Sequence, residues 1–285
     1  MTADTIQNAQ DLGRPSVGQL IWHQFRYQNK LFWRTPLAAF FTIVFPLGLL
    51  LLFIAIFGNE EIPELGVTTA QFFVPGLGVF AAVSATYTNL AINTAIARDN
   101  GILKRIRGTP IPPWAYLAGK IVSAIWLAAI ALALMMGVGV GLYGIELIPR
   151  TLPAAMLTFI IGVACFSALG LFVAAISPSG DVAPAITNAT ILPIAFISDV
   201  FLPLSDPPAW MEIAGGIFPL KPFVVAFRDT FDPTLEGLQF HWPELAVLLA
   251  WGVLATVLAI RFFRWEPQGS GEKKSRRGSP ELPGG

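Results

Sequence analysis

The sequence predicts an all-α integral membrane protein: six transmembrane helices, an N-terminal amphipathic helix at the interface, outer re-entrant helices between spans five and six, and both termini cytoplasmic. Three observations predict it. The 285 residues are 54% hydrophobic and 13% charged, where a soluble domain carries about 25% charged residues. Six stretches, about 37–57, 72–96, 115–143, 152–176, 182–204 and 243–263, stay apolar over the roughly 20 residues that a spanning helix needs. Lys and Arg are also unevenly placed. Of the 18, only Arg150, Lys221 and Arg228 fall on the side away from the termini, and cytoplasmic loops carry such an excess.

Composition narrows the function classes. The net charge is zero, so no overall field attracts nucleic acid. Cys165 is the one cysteine and there are two histidines, too few for an intrachain disulfide or a metal cluster. No short apolar segment with a small-residue cleavage site opens the chain, so no removable leader is expected.

In chain order, residues 1–15 are polar and read as a loose terminus, and 16–265 read as one transmembrane domain. Within 16–35, Leu20, Ile21, Phe25, Leu31 and Phe32 are apolar at roughly helical spacing. Trp22, His23, Tyr27 and Trp33 add interfacial side chains, and Arg26, Lys30 and Arg34 add charge. This is an amphipathic helix at the inner surface, serving as a juxtamembrane anchor, a docking element, or both. Pro36 separates it from span one, which holds Pro46 and Gly48. The loop 58–71 is short and acidic.

Span two carries Thr86, Asn89 and Asn93 at i, i+3 and i+7. That spacing puts them on one face, for hydrogen bonds between helices or for a polar path. The basic segment 98–120 follows, RDNGILKRIRGTPIPPWAYLAGK. Gly101 to Arg107 predicts a short helix with Ile102, Leu103 and Ile106 on one side and Lys104, Arg105 and Arg107 on the other. Positive charge alone explains a cytoplasmic loop; the mixed faces favour docking in a partner's groove.

Span three ends in Gly137, Gly139 and Gly141, and Gly137 with Gly141 matches the small-xxx-small pattern of close helix approach. The tight turn 177–181 predicts that spans four and five are antiparallel neighbours. Span five holds Thr187, Asn188 and Thr190 between Pro184 and Pro193. The connection 205–242 is apolar in pieces too short to span, which reads as re-entrant or interfacial helices. Lys221, Arg228 and Asp229 there are ion partners or substrate contacts, pairing being favoured. The tail 266–285 is rich in Gly, Pro and Ser with Lys273, Lys274, Arg276 and Arg277. It reads as disordered, solvated or touching anionic lipid.

Catalytic signatures are missing. Gly119-Lys120 is followed by Ile121, and Trp114 stands where a phosphate loop needs its first Gly. No paired carboxylates lie deep in a span, as a proton relay favours. Three classes remain: a transport subunit driven by a partner ATPase, a self-sufficient secondary transporter or channel, and a membrane enzyme acting on lipid through Asp199, Asp206, Lys221 and Arg228. The first fits best.

Three features together resemble the ABC type-2 permease family, the membrane subunits of ATP-binding-cassette exporters. They are the amphipathic helix; Arg98-Asp99, Gly101 to Arg107, Thr109-Pro110 and Tyr116-Leu117-x-Gly119-Lys120; and Ser198 to Pro203 followed by Pro208-x-Trp210, Pro219-Leu220 and Arg228. The likeness covers all but the tail. Asp99 stands where the family commonly has Glu, and Asp199 where it commonly has a small residue, often Gly.

The resemblance implies a drug- or antibiotic-efflux-like permease in the plasma membrane, non-catalytic, pairing with a second permease, same or different. Two ATPase subunits carry the ATP and Mg, and this chain binds no cofactor or metal. It implies an ATPase-coupling surface at Arg26, Lys30, Asp99, Gly101, Ile102, Leu103, Lys104, Arg105, Arg107, Thr109 and Pro110. It further implies a translocation path at Thr86, Asn89, Asn93, Thr187, Asn188 and Thr190, and an outer gate at Asp199, Phe201, Pro203, Trp210 and Arg228. The cargo is hydrophobic or amphipathic: a drug, an antibiotic or a lipid-like molecule.

Overall fold

The protein is described by a computed structural model covering residues 16–63, 65–108, 112–201 and 207–263. Both predicted tails, Thr109, Pro110 and Pro203 lie outside these residues. The chain is an all-α membrane protein. Among the described residues, five helices are long and apolar enough to cross a membrane, or up to six if one bent pair counts as a single span.

Helix α1 (Val17–Trp33) starts at a reciprocal cap. The Ser16 hydroxyl accepts from the Gln19 amide, and the Gln19 side chain accepts from the Ser16 amide. Its buried edge runs through Phe32, with Gln24, Phe25, Gln28 and Asn29 half-buried. Leu31, expected on the apolar face, is exposed with Trp22, Tyr27 and Trp33. The face that packs on the bundle is thus partly amide-bearing, because it meets another helix and not lipid.

Helix α2 (Pro36–Phe57) contains a π-helical turn over Phe40–Val44 just before Pro46. A proline ring clashes with the carbonyl four residues back, and the wider turn accommodates it. A two-residue antiparallel hairpin follows, β1 (Glu61–Ile62) and β2 (Val67–Thr68), pairing Glu61 with Thr68 and Ile62 with Val67.

Helix α3 (Thr69–Asp99) is the axis of the molecule, wholly buried through Thr69–Val83 and partly open beyond it. It too widens into a π turn, over Ser84–Thr88. There the Ser84 and Thr86 hydroxyls donate to the carbonyls of Phe80 and Ala82 at 2.9 and 2.8 Å, which competes with the helical ladder. The expected short helix is present as α4 (Ile102–Arg107), and α5 (Pro113–Tyr143) leaves from the prolines that stop it. Next come α6 (Leu152–Ile176) and α7 (Ala183–Ile197). The bent pair α8 (Ala209–Ile217) and α9 (Leu220–Arg228) follows, and α10 (Trp242–Phe262) closes the described fold.

Three expectations need correction. Span five was expected over 182–204, but α7 has 15 residues, about 22 Å at helical rise, short of a hydrocarbon core of about 30 Å. Asp199 takes φ 55, turning the chain back so that Val200 and Phe201 are buried in the bundle. Second, α6 packs mainly along α10, and its contact with α7 is slight. Third, no atom lies within 4 Å of a methyl placed at Gly137 or Gly141, while one at Gly139 would meet Val74 of α3 at 2.8 Å. The close approach uses the glycine between the expected pair, because that is the one facing α3.

Packing matters more here than burial. Lipid is as apolar as a leucine side chain, so helices in a membrane associate through close contact. At Gly170 of α6, a methyl would sit 2.7 Å from the Tyr87 carbonyl and 2.8 Å from that of Thr86. Gly162 lets the Phe223 ring lie directly on α6, within a train of rings running through Phe166, Phe223, Phe227 and Phe231.

Candidate functional site

The candidate residues fall at the two ends of α3 and along one of its sides. At its C-terminal end, Gly101 is left-handed, φ 68, and turns the chain into α4. Leu103 is fully buried while Lys104 and Arg105 are exposed. The expected two-faced character of α4 is therefore real, with Leu103 as its plug. Arg26 and Lys30 of α1 are exposed. Helix α1 is seated on the start of α5 at Gly119, where a methyl would overlap the Gln24 side chain. Next to it the buried Lys120 ammonium donates to the Asn93 carbonyl at 3.1 Å and lies 3.3 Å from the Thr94 hydroxyl. Elements α1, α3 and α5 thus meet in one knot behind α4.

Asp99 is not part of the exposed basic face of α4. Its carboxylate accepts from the Gly180 amide in the turn between α6 and α7. Arg98, part of the Arg98-Asp99 motif but not among the expected site residues, is 2% exposed and donates to the carbonyls of Ala174, Ala175 and Ser177. The clue was its place at the very end of an apolar run, where a cation suits the C-terminus of a neighbouring helix.

Along the side of α3, the expected polar face splits. Asn93 donates to Asn89 and both are half-buried. Thr86 is fully buried and turned onto Ala82, so it does not share their exposure; the π turn alters the i, i+3, i+7 register. On α7, Thr187 is buried and bonded to its own helix, whereas Asn188 and Thr190 are exposed. Thr190 pairs at 2.6 Å with the Tyr87 hydroxyl, a partner the sequence reading missed. The pair borders a cavity of about 220 Å³ among α3, α6, α7, α9 and α10, walled by Phe166, Phe172, Phe218 and Trp251.

At the opposite end, Asp199 meets Lys221 at 3.3 Å across the α7–α9 junction. This gives Asp199 a partner and supports pairing for Lys221. Its left-handed backbone is the conformation glycine adopts most readily. Arg228 lies 4.0 Å from Asp229 and stacks its guanidinium over Phe72, 4.4 Å from the ring centroid. Phe201 packs edge-on to Phe80, whereas Trp210 is 61% exposed. Trp210 therefore stands apart from the other residues of this end. Gln71, unremarked in the sequence, ties the end together: its amide nitrogen donates to Glu146 and Phe231 carbonyls and its oxygen accepts from the Glu146 amide at 3.0 Å.

Comparison with known proteins bears on this geometry. The family model described as ABC-2 type transporter matches residues 19–231. The chain is 26% identical over 223 residues to the daunorubicin resistance ABC transporter permease protein DrrB1 of Streptomyces coeruleorubidus, covering 76% of this chain and 75% of that one. It is 24% identical over 198 residues to the inner membrane transport permease YadH of Escherichia coli K12, covering 67% and 75%.

Proposed function

The chain belongs to the ABC-2 type transporter family, and from that premise we propose that it is the permease subunit of an ATP-driven exporter. A separate ATPase subunit, in two copies, binds ATP and Mg and docks on the cytoplasmic face. A second permease, identical or different, completes the path between them. Both termini and α4 lie in the cytoplasm, which the distribution of Lys and Arg supports. The chain performs no covalent step; it converts a displacement of its inner surface into a change of access for a hydrophobic or amphipathic cargo. The resistance permease among its relatives supports a drug- or antibiotic-like cargo over a long polar polymer.

The observation that carries this reading is α4. It is a short helix with its apolar plug, Leu103, buried and its cations, Lys104 and Arg105, presented to solvent at the end of the central helix. Such an element is held firmly enough to transmit a push and is charged enough to be grasped. Arg26 and Lys30 extend the same basic surface. In this reading, Asn89, Asn93, Asn188 and Thr190, polar groups left accessible on α3 and α7, line the path, and the Asp199–Lys221 end forms the outer gate with α8 and α9 as its re-entrant pair.

The test is reconstitution in liposomes of the chain with its ATPase, and of the chain alone, reading efflux of a fluorescent amphipathic cation. Efflux is expected only with ATPase and ATP together. Leu103→Glu is expected to reduce it by about tenfold, within the range of ordinary coupling between sites, while the ATPase still copurifies. Efflux by the chain alone on an ion gradient overturns the proposal.

A further inference from the structure

A permease of this design needs its inner handle joined to more than one helix, since α4 is covalently continuous only with α3 and the α5 lead-in. The structure holds such a joint. Arg98 and Asp99, the last two residues of α3, reach sideways in concert. Arg98 places its guanidinium, 2% exposed, on the carbonyls that end α6: Ala174 at 2.9 Å, Ala175 at 3.5 Å and Ser177. These are among the acceptors that a helix end leaves without partners, and a cation there also meets the negative end of the helix dipole. Asp99 accepts from the Gly180 amide one turn further on, and its other oxygen lies 3.6 Å from Arg98 Nε.

Backbone contact backs these bonds. A methyl at Gly180 would lie 2.9 Å from the Ile96 Cα, so the turn 177–181 rests directly on the last turn of α3. Higher up, Gly170 brings α6 against the carbonyls of Thr86 and Tyr87. Helices α3 and α6 are thus fastened at two levels. The lower fastening is polar and sits immediately before the left-handed Gly101 that introduces α4. Gly101 makes a left-handed turn that is itself tied down, its amide donating to the Arg98 carbonyl at 2.9 Å and its carbonyl accepting from the Arg105 amide at 3.1 Å. The fastening stands on the near side of it.

The geometry points to Arg98 and Asp99 as positioning residues that hand displacement of α4 on to the 177–181 turn, and through it to α6 and α7. This rests on the reading of α4 as the ATPase-coupled element. Without the clamp, a push on α4 reaches α6 only through the close contact at Gly170 and leaves the 177–181 turn behind. With it, α3, α6 and the start of α7 respond together, and α7 carries Asn188 and Thr190. Arginine is suited to this task because one planar guanidinium reaches several carbonyls at once; a lysine ammonium does not reproduce that spread. The burial of a guanidinium with few acidic neighbours is costly in itself, which makes sense if the clamp has work beyond holding the fold.

The test is amide hydrogen exchange on the full complex with its ATPase in nanodiscs, with and without a non-hydrolysable ATP analogue, alongside the efflux assay. In the wild type, nucleotide is expected to change exchange at 102–107 and at 177–182 together. Asp99→Ala is expected to keep the response at 102–107, lose that at 177–182, and lower efflux by about tenfold. Asp99→Asn, which retains an acceptor for Gly180, is expected to restore most of both. Arg98→Lys is expected to behave as Asp99→Ala; should it fail to fold, the Asp99 pair decides. A response at 177–182 that persists in Asp99→Ala overturns the clamp, as does a wild type that responds at 102–107 alone. Silence at 102–107 in the wild type instead sinks the reading of α4 on which the clamp depends.

Discussion

Gly170 and Gly137 are both glycines in apolar spans, yet their surroundings demand opposite outcomes. Gly170→Ala forces a methyl against the Thr86 and Tyr87 carbonyls, which cannot rotate away. Overpacking of this kind costs about 1–3 kcal/mol, and the melting temperature in detergent should fall. Gly137→Ala has open space and should leave it unchanged or slightly raised. A second residue-scale prediction concerns Asp199 and Lys221, mostly buried and 3.3 Å apart. A double-mutant cycle with Asp199→Asn and Lys221→Met should return a coupling energy of about 0.5–3 kcal/mol by thermal unfolding. Additive single effects would show that the contact contributes nothing. Neither pair was visible in the sequence. Spacing identifies small residues but not which of them faces a backbone, and no local pattern joins Asp199 to a lysine across a turn.

At the scale of elements, α1 and α4 were legible because their signals are local: periodic apolar positions, interspersed cations, and prolines that stop a helix; the Ser16–Gln19 cap of α1 came only with the structure. The consequence is testable. Ser16→Ala removes the hydroxyl of the α1 cap, which costs about 0.5–2 kcal/mol of helix stability, and should loosen the helix ahead of the rest of the fold. Amide exchange across 17–23 would read this. Arg26→Glu with Lys30→Glu, both on the exposed face, should leave the melting temperature in place and weaken copurification of the ATPase. Unchanged copurification would place the docking surface elsewhere. Helix α7 was less legible. Its apolar run continues past Ile197, but the left-handed Asp199 ends it, and a single backbone torsion leaves no hydropathy signal.

On the scale of the whole molecule, the arrangement predicts sidedness. With Cys165→Ala as background, a cysteine at exposed Lys104 should react with an impermeant maleimide only from the cytoplasm, and one at exposed Glu146 only from outside. Reaction of Lys104→Cys from outside would invert the topology and remove the handle from the ATPase. Helix α3 gives the molecule its plan: wholly buried through Thr69–Val83, it meets α2, α5, α6 and α9, while α2 and α10 turn broad apolar faces outward. That division of labour cannot be read from hydropathy, since a helix facing lipid and one facing protein are equally apolar.

The sequence by itself determined that this is a multi-pass helical membrane protein with a short basic helix near its middle, because length, apolarity and the placing of Lys and Arg are properties of the chain taken one segment at a time. Only the tertiary structure decided which glycine is the contact, that Asp199 pairs with Lys221, and that Arg98 ends α6 and not a loop. Those facts depend on which segments lie side by side, and in a membrane that choice is made by close packing and by satisfying polar groups, neither of which leaves a local mark.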